Sequence, residues 1–166
     1  MSPVGYAGAH MNGLRVRWIN SQAGMLRRMD ALAVRLGRGP RVAGHLATGL
    51  RGERETLFEL RRLGYTVVAR RWKNAKLRGD VDLIGWDGEW LCFVEVKTRA
   101  ERDAVPAMAA VDRDKQEMLR KMARAYLRGF PEKYRREIPV RFDVVSVYLQ
   151  PTGTEFEVYK GAFGWA

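Results

Sequence analysis

Three residues of this sequence have the types and spacing to act together on a phosphodiester: Asp82, and Glu95 with Lys97 in the run Glu95-Val96-Lys97. The two acids lie among apolar neighbours, Val81 and Leu83 around one, Phe93 and Val94 before the other. Two carboxylates sharing such a setting repel each other. A Mg²⁺ or Mn²⁺ ion relieves that repulsion, accepts oxygen ligands, and keeps positions for water and a substrate phosphate. It can also generate hydroxide from water and stabilise the charge of the transition state. Lys97 follows Glu95 by two residues, so it shares a strand face and could position or deprotonate the attacking water. The competing reading is structural: Asp82 and Lys97 as a cross-strand ion pair, with Glu95 a half-exposed acid on a sheet.

These residues need a hairpin to bring them together. Residues 80–86 and 89–97 alternate as strands, and Asp87-Gly88 between them is a favoured tight-turn dipeptide. A two-residue turn at Asp87-Gly88 pairs Trp86 with Glu89, Asp82 with Phe93 and Asp80 with Glu95. Asp80, Asp82, Phe93, Glu95, Lys97 and Arg99 then share one face, with Asp82 and Glu95 as diagonal neighbours roughly 7–8 Å apart at Cα.

Around the hairpin, residues 51–63 read as a helix with Leu57, Leu60 and Leu63, stopped by Gly64. Residues 65–70 read as a strand, 112–127 as a second helix, and 140–149 and 154–159 as two more strands. The order α-β-β-β-α-β-β implies an α/β fold, a mixed β-sheet flanked by helices. Helical phase puts Glu53 on the stripe of Leu57 and Leu60, facing the sheet, while Glu55 and Glu59 fall off it and read as solvated. Glu53 could complete the metal site or serve only as a first-turn acid favoured by the helix dipole. Lys115 aligns with Met118, Met122 and Tyr126, and could reach a phosphate or snorkel to solvent. The loop after residue 70 carries Arg71, Lys73, Lys76 and Arg78 around Trp72, an arrangement suited to nucleic-acid contact. The alternative is a solvated loop with Trp72 tucked into the core.

Net charge is +11, and the first 50 residues hold seven arginines against a single acid, Asp30. That balance favours a polyanionic partner, nucleic acid before an anionic membrane. No apolar run approaches the roughly 20 residues of a bilayer span, so no membrane association is expected. The one cysteine, Cys92, excludes an intrachain disulfide and suits a reducing cytoplasm. His10 and His45 have no metal-ligand spacing, and neither a phosphate-cradling Gly-Lys-Ser/Thr loop nor a nucleophile elbow occurs. Residues 1–46 read as a basic, Gly/Arg-rich extension, with a possible amphipathic helix over 14–36 and a linker at 37–44. Residues 47–166 read as the folded domain.

The segments GLRGERETLFELRRLGY, RRWKNAKLRGDVDLIGWDGEWLCFVEVKTR and VRFDVVSV strongly resemble the YraN family of bacterial proteins. That family is similar in fold to archaeal Holliday-junction resolvases and to the PD-(D/E)xK restriction-endonuclease-like superfamily. The resemblance spans about residues 47–160. It implies Glu53 as the helix acid, Asp82 as the first motif acid, Glu95 and Lys97 as the (D/E)xK pair, and Arg99 and Lys115 as recurrent positions. Asp80 stands where the family usually has Glu, and Thr56 where it usually has Ala. By this resemblance the chain is a Mg²⁺- or Mn²⁺-dependent endonuclease-like protein of structured or branched DNA, working as a homodimer if both strands are cut symmetrically. RNA, or binding to nucleic acid without turnover, remains an alternative, since fold does not fix function.

Overall fold

The computed structural model describes residues 13–36, 44–99, 111–150 and 152–165. Of the expected linker at 37–44, residues 37–43 lie outside these, whereas Gly44 belongs to a helix. Helices α1 (Gly13–Arg35) and α2 (Gly44–Arg62) precede strands β1 (Thr66–Trp72), β2 (Val81–Asp87) and β3 (Trp90–Arg99). Helix α3 (Arg113–Leu127), the single turn α4 (Glu132–Arg135), β4 (Val140–Gln150) and β5 (Gly153–Phe163) follow. The five strands form one sheet in sequence order, antiparallel except for the central parallel pair β3–β4. This is the expected mixed sheet flanked by helices. Among the described residues, no helix is long and apolar enough to cross a membrane.

The period-two alternation of the strands divides the core between two faces. Ile84, Phe93, Phe142 and Val144 pack with Leu119, Met122 and Ala123 of α3 on one side. Leu83, Cys92, Val94, Val145 and Val147 pack with Leu57 and Leu60 of α2 on the other. Each fully buried leucine contributes roughly 1.5–3 kcal/mol. Helix α2 ends where expected: Gly64 takes φ +95, and the Tyr65 amide donates back to the Leu60 carbonyl at 2.9 Å. It begins at Gly44, seven residues earlier than the leucine pattern indicates. A third cluster joins Ile19 and Ala23 of α1 to Phe58 of α2, so the basic extension contributes a helix laid on the outer side of α2.

The hairpin register differs from expectation. Asp87 pairs with Trp90, Trp86 with Leu91 and Ile84 with Phe93, so the two-residue turn is Gly88-Glu89. Gly88, at φ +59, takes the first central position, where a positive φ favours glycine. Asp87 joins the ladder instead, its carboxylate held at 2.6 Å by both Arg141 and Lys160. The register moves by two residues, which preserves side-chain parity, so even-numbered positions of β2 still pair with odd-numbered ones of β3, as Ile84 does with Phe93.

Candidate functional site

Pairing between β2 and β3 runs from Asp87–Trp90 to Leu83–Val94 and stops there, while β3 continues to Arg99 beside β4. Asp82 lies at this divergence. Its Oδ2 accepts the Val96 backbone N–H at 2.7 Å, so a side chain replaces the missing ladder partner. Burial first, and the neighbouring Glu95 charge second, push the Asp82 carboxyl up to about 7. The Val96 hydrogen bond and Lys115 act in the opposite direction without cancelling this.

Glu95, with its side chain 4% exposed, is held by two lysines. Lys97 Nζ lies 3.0 Å from Oε1, and Lys115 Nζ lies 2.9 Å from Oε2. Lys115 comes from the first turn of α3, where Asp112 is the N-cap and accepts the Lys115 backbone N–H at 2.8 Å. The cap fixes the turn that aims the amine. Burial lowers the Lys115 pKa, but Glu95 outweighs it and leaves the amine above its ordinary value. The phosphate role expected for Lys115 therefore has a carboxylate in place of a phosphate here.

Glu53 faces the sheet, as its helical phase indicates. Burial raises its carboxyl, and the charges of Asp80 and Glu95 add to the effect against that of Arg71. Its Oε2 is buried with no hydrogen-bond partner, and its nearest cation is Arg71 Nε at 3.8 Å. The same Arg71 nitrogen is 3.8 Å from Asp80 Oδ2. Arg71 has φ 46, the left-handed region that branched side chains avoid, at a cost of about 1–3 kcal/mol. Lys73 and Arg78 are exposed on the following loop, and Arg99 is half-buried at the end of β3, at the level of Tyr148. Trp72 turns its ring edge-on to Tyr126 at 5.2 Å, making it a core residue.

The charge of Glu95 thus helps to raise the carboxyls of both Asp82 and Glu53 at the open end of the hairpin. Among the described residues, no three carboxylate, histidine or cysteine side chains converge as a ready ligand set. Two neighbouring carboxylates suit Mg²⁺, which retains several waters and uses one or two protein carboxylates. They do not suit an ion that demands a closed protein cage. The unpartnered Glu53 oxygen and the raised Asp82 carboxyl fit a site that gains from a bound cation.

Two features escape the sequence reading. Glu55, expected to be solvated, is 2% exposed and bonded through both carboxylate oxygens to Nε and Nη2 of Arg27 from α1. Its helical phase directs it towards α1, a neighbour invisible to a pattern that counts only the sheet. In β4, paired with Val94, Asp143 is fully buried; it accepts from Arg141 Nε at 2.7 Å, from Tyr65 Oη at 3.0 Å and from the Gly161 amide at 2.9 Å. An acid within the apolar run of β4 was the available signal. This network balances its own charges and lies away from Asp82.

The family model described as "Uncharacterised protein family UPF0102" matches residues 52–147. A UPF0102 protein of Koribacter versatilis is 48% identical over 119 residues, covering 72% of this chain and 80% of its own. One from Solibacter usitatus is 45% identical over 104 residues, covering 63% and 76%. One from Chlorobaculum tepidum is 37% identical over 99 residues, covering 60% and 73%. The matched segment contains Glu53, Asp82, Glu95, Lys97 and Lys115, every residue of the carboxylate–lysine cluster, and the chain belongs to the UPF0102 family.

Proposed function

We propose that this protein is a Mg²⁺- or Mn²⁺-dependent endonuclease-like protein that hydrolyses phosphodiester bonds in nucleic acid, with structured or branched DNA as the preferred substrate. The observation that carries this reading is the buried encounter of Asp82 with Glu95 where the hairpin opens, flanked by Lys97 and Lys115. Asp82 and Glu95 would hold the cation, with Glu53 assisting directly or through water. When bound, the ion supplies positive charge at the phosphate and acidifies a water. Once its ion pair with Glu95 loosens, Lys97 would orient that water, or accept its proton after releasing its own to solvent. Lys115 would transfer its charge from Glu95 to a phosphate oxygen. Arg71, Lys73, Arg78 and Arg99 would hold the phosphates that flank the reacting one.

The test is incubation of the purified protein with duplex, single-stranded and branched DNA and with RNA, with and without Mg²⁺ or Mn²⁺. Metal-dependent cleavage that disappears in Glu95→Ala and in Lys97→Ala, with folding and binding retained, supports the reading. Cleavage unchanged in both variants removes it.

One observation favours a second reading, a nucleic-acid-binding protein that keeps this fold without turnover. Both oxygens of Glu95 already have a lysine, so the site is neutralised from within. Salt-sensitive binding with no cleavage on any substrate, with either metal, selects it.

A further inference from the structure

Two glycines in the interior of α2, Gly49 and Gly52, meet opposite surroundings. A Cβ added at Gly49 has nothing within 4 Å. A Cβ added at Gly52 would fall 1.9 Å from Thr98 Oγ1, 2.9 Å from Thr98 Cβ and 3.0 Å from Thr98 Cγ2. Rotating the threonine can move its oxygen but not its Cβ, so the clash is relieved only by moving backbone. Strand β3 is tied to β4 at this level, with Thr98 paired to Val147, and cannot readily retreat. Helix α2 must yield instead. Its other end is anchored by Leu57 and Leu60 in the core, so it would tilt about them and lift its first turns from the sheet.

Glu53 is the next residue along. Its carboxylate is where it is, near Asp80 and within the field of Glu95, because the helix backbone presses against Thr98 one residue earlier. We infer that Gly52 is a positioning residue: the absence of its side chain sets the α2–β3 spacing that delivers Glu53 to the carboxylate cluster. The inference rests on the proposed metal site and adds to it a residue that touches neither metal nor substrate.

Gly49 supplies the control. Glycine inside a helix is unfavourable relative to alanine, so alanine at either position should favour the helix where space allows. The experiment compares Mn²⁺ affinity, by isothermal titration of the full chain with the metal alone, and Tm in five proteins: wild type, Gly49→Ala, Gly52→Ala, Thr98→Gly and Gly52→Ala/Thr98→Gly. Gly49→Ala is expected to raise Tm and bind Mn²⁺ as wild type does. Gly52→Ala is expected to weaken Mn²⁺ binding about 10–100-fold, the range typical of losing a residue that orients a metal ligand. Removing the opposing side chain in the double variant should restore affinity to within about three-fold of Thr98→Gly, which a general loss of stability would not do. Wild-type affinity in Gly52→Ala, or a double variant that folds but remains as weak as Gly52→Ala, overturns the inference and leaves the metal site standing. A wild-type protein that neither binds Mn²⁺ nor cleaves removes the metal site and this assignment together.

Discussion

The Asp82 carboxylate accepts the backbone N–H of Val96 at 2.7 Å, one residue beyond the last paired position of β2 and two beyond that of β3. A single oxygen thus closes the ladder, while the charge of Glu95 bears on the whole carboxyl. The bond identifies which oxygen is structural, and it can be separated from the charge by substitution.

Asp82→Asn retains an acceptor for Val96 and removes the charge. The wild-type carboxyl titrates at about 7, against 3.8 for an unperturbed group. Between those values the folded protein holds a proton that the unfolded chain has lost, so this group's contribution to stability falls as pH rises from about 4 to about 7 and stays low above. The asparagine variant lacks this dependence. Its Tm should exceed that of wild type more at pH 8 than at pH 5, by ~2–4 °C for each kcal/mol of repulsion removed. Mn²⁺ binding should be lost at both pH values. Thermal unfolding at the two pH values checks the sign, and an advantage larger at pH 5 contradicts it.

Lys115→Met leaves one oxygen of a buried Glu95 without its cation. Urea unfolding should show a loss of about 1–3 kcal/mol, the penalty of a buried acceptor deprived of its partner, with Lys97 limiting the damage. Asp112→Ala acts on the same amine from a distance. It removes the N-cap and should cost about 1 kcal/mol.

The Arg27–Glu55 pair is asymmetric, with side chains 52% and 2% exposed. Arg27→Met strands a buried carboxylate and should destabilise by about 1–2 kcal/mol; Arg27's exposure and the nearby Arg54 hold it below the range for a fully buried pair. Arg27→Met/Glu55→Leu should recover most of that loss, because apolar groups tolerate this interface. A double-mutant cycle in urea reads the coupling directly.

Phosphate-holding residues have a different signature. Alanine at Lys73 or Arg78, both exposed, should weaken binding to every nucleic acid alike and reduce the salt dependence of log K by about one per lost phosphate contact. Unchanged slopes in both variants would remove this loop from the interface.

Much of this geometry was legible in advance because alternation is robust to register. The hairpin turn lies one residue from its expected place, yet a shift of two in pairing returns every side chain to the same face, and Glu95 and Lys97 remain together. Glu53 was legible because Leu57 and Leu60 fixed its phase. Glu55 was not, since its partner Arg27 belongs to a helix 28 residues earlier in the chain, and no local period records that distance. The ion pairs of Lys97 and Lys115 with Glu95 were equally hidden. Spacing places a cation on a face without saying which anion it meets, and here the cluster's own carboxylate serves.

The parallel pairing of β3 with β4 also sets an order of assembly. A tight hairpin separates Asp82 from Glu95, whereas Lys115 reaches Glu95 only when α3 packs on the sheet within the crossover from the end of β3 at Arg99 to the start of β4 at Val140. Short loops close before long ones. During refolding the two acids should therefore meet early and be neutralised late. Closure of the crossover is the step expected to slow when pH rises and Asp82 ionises, because its charge must then be buried beside Glu95.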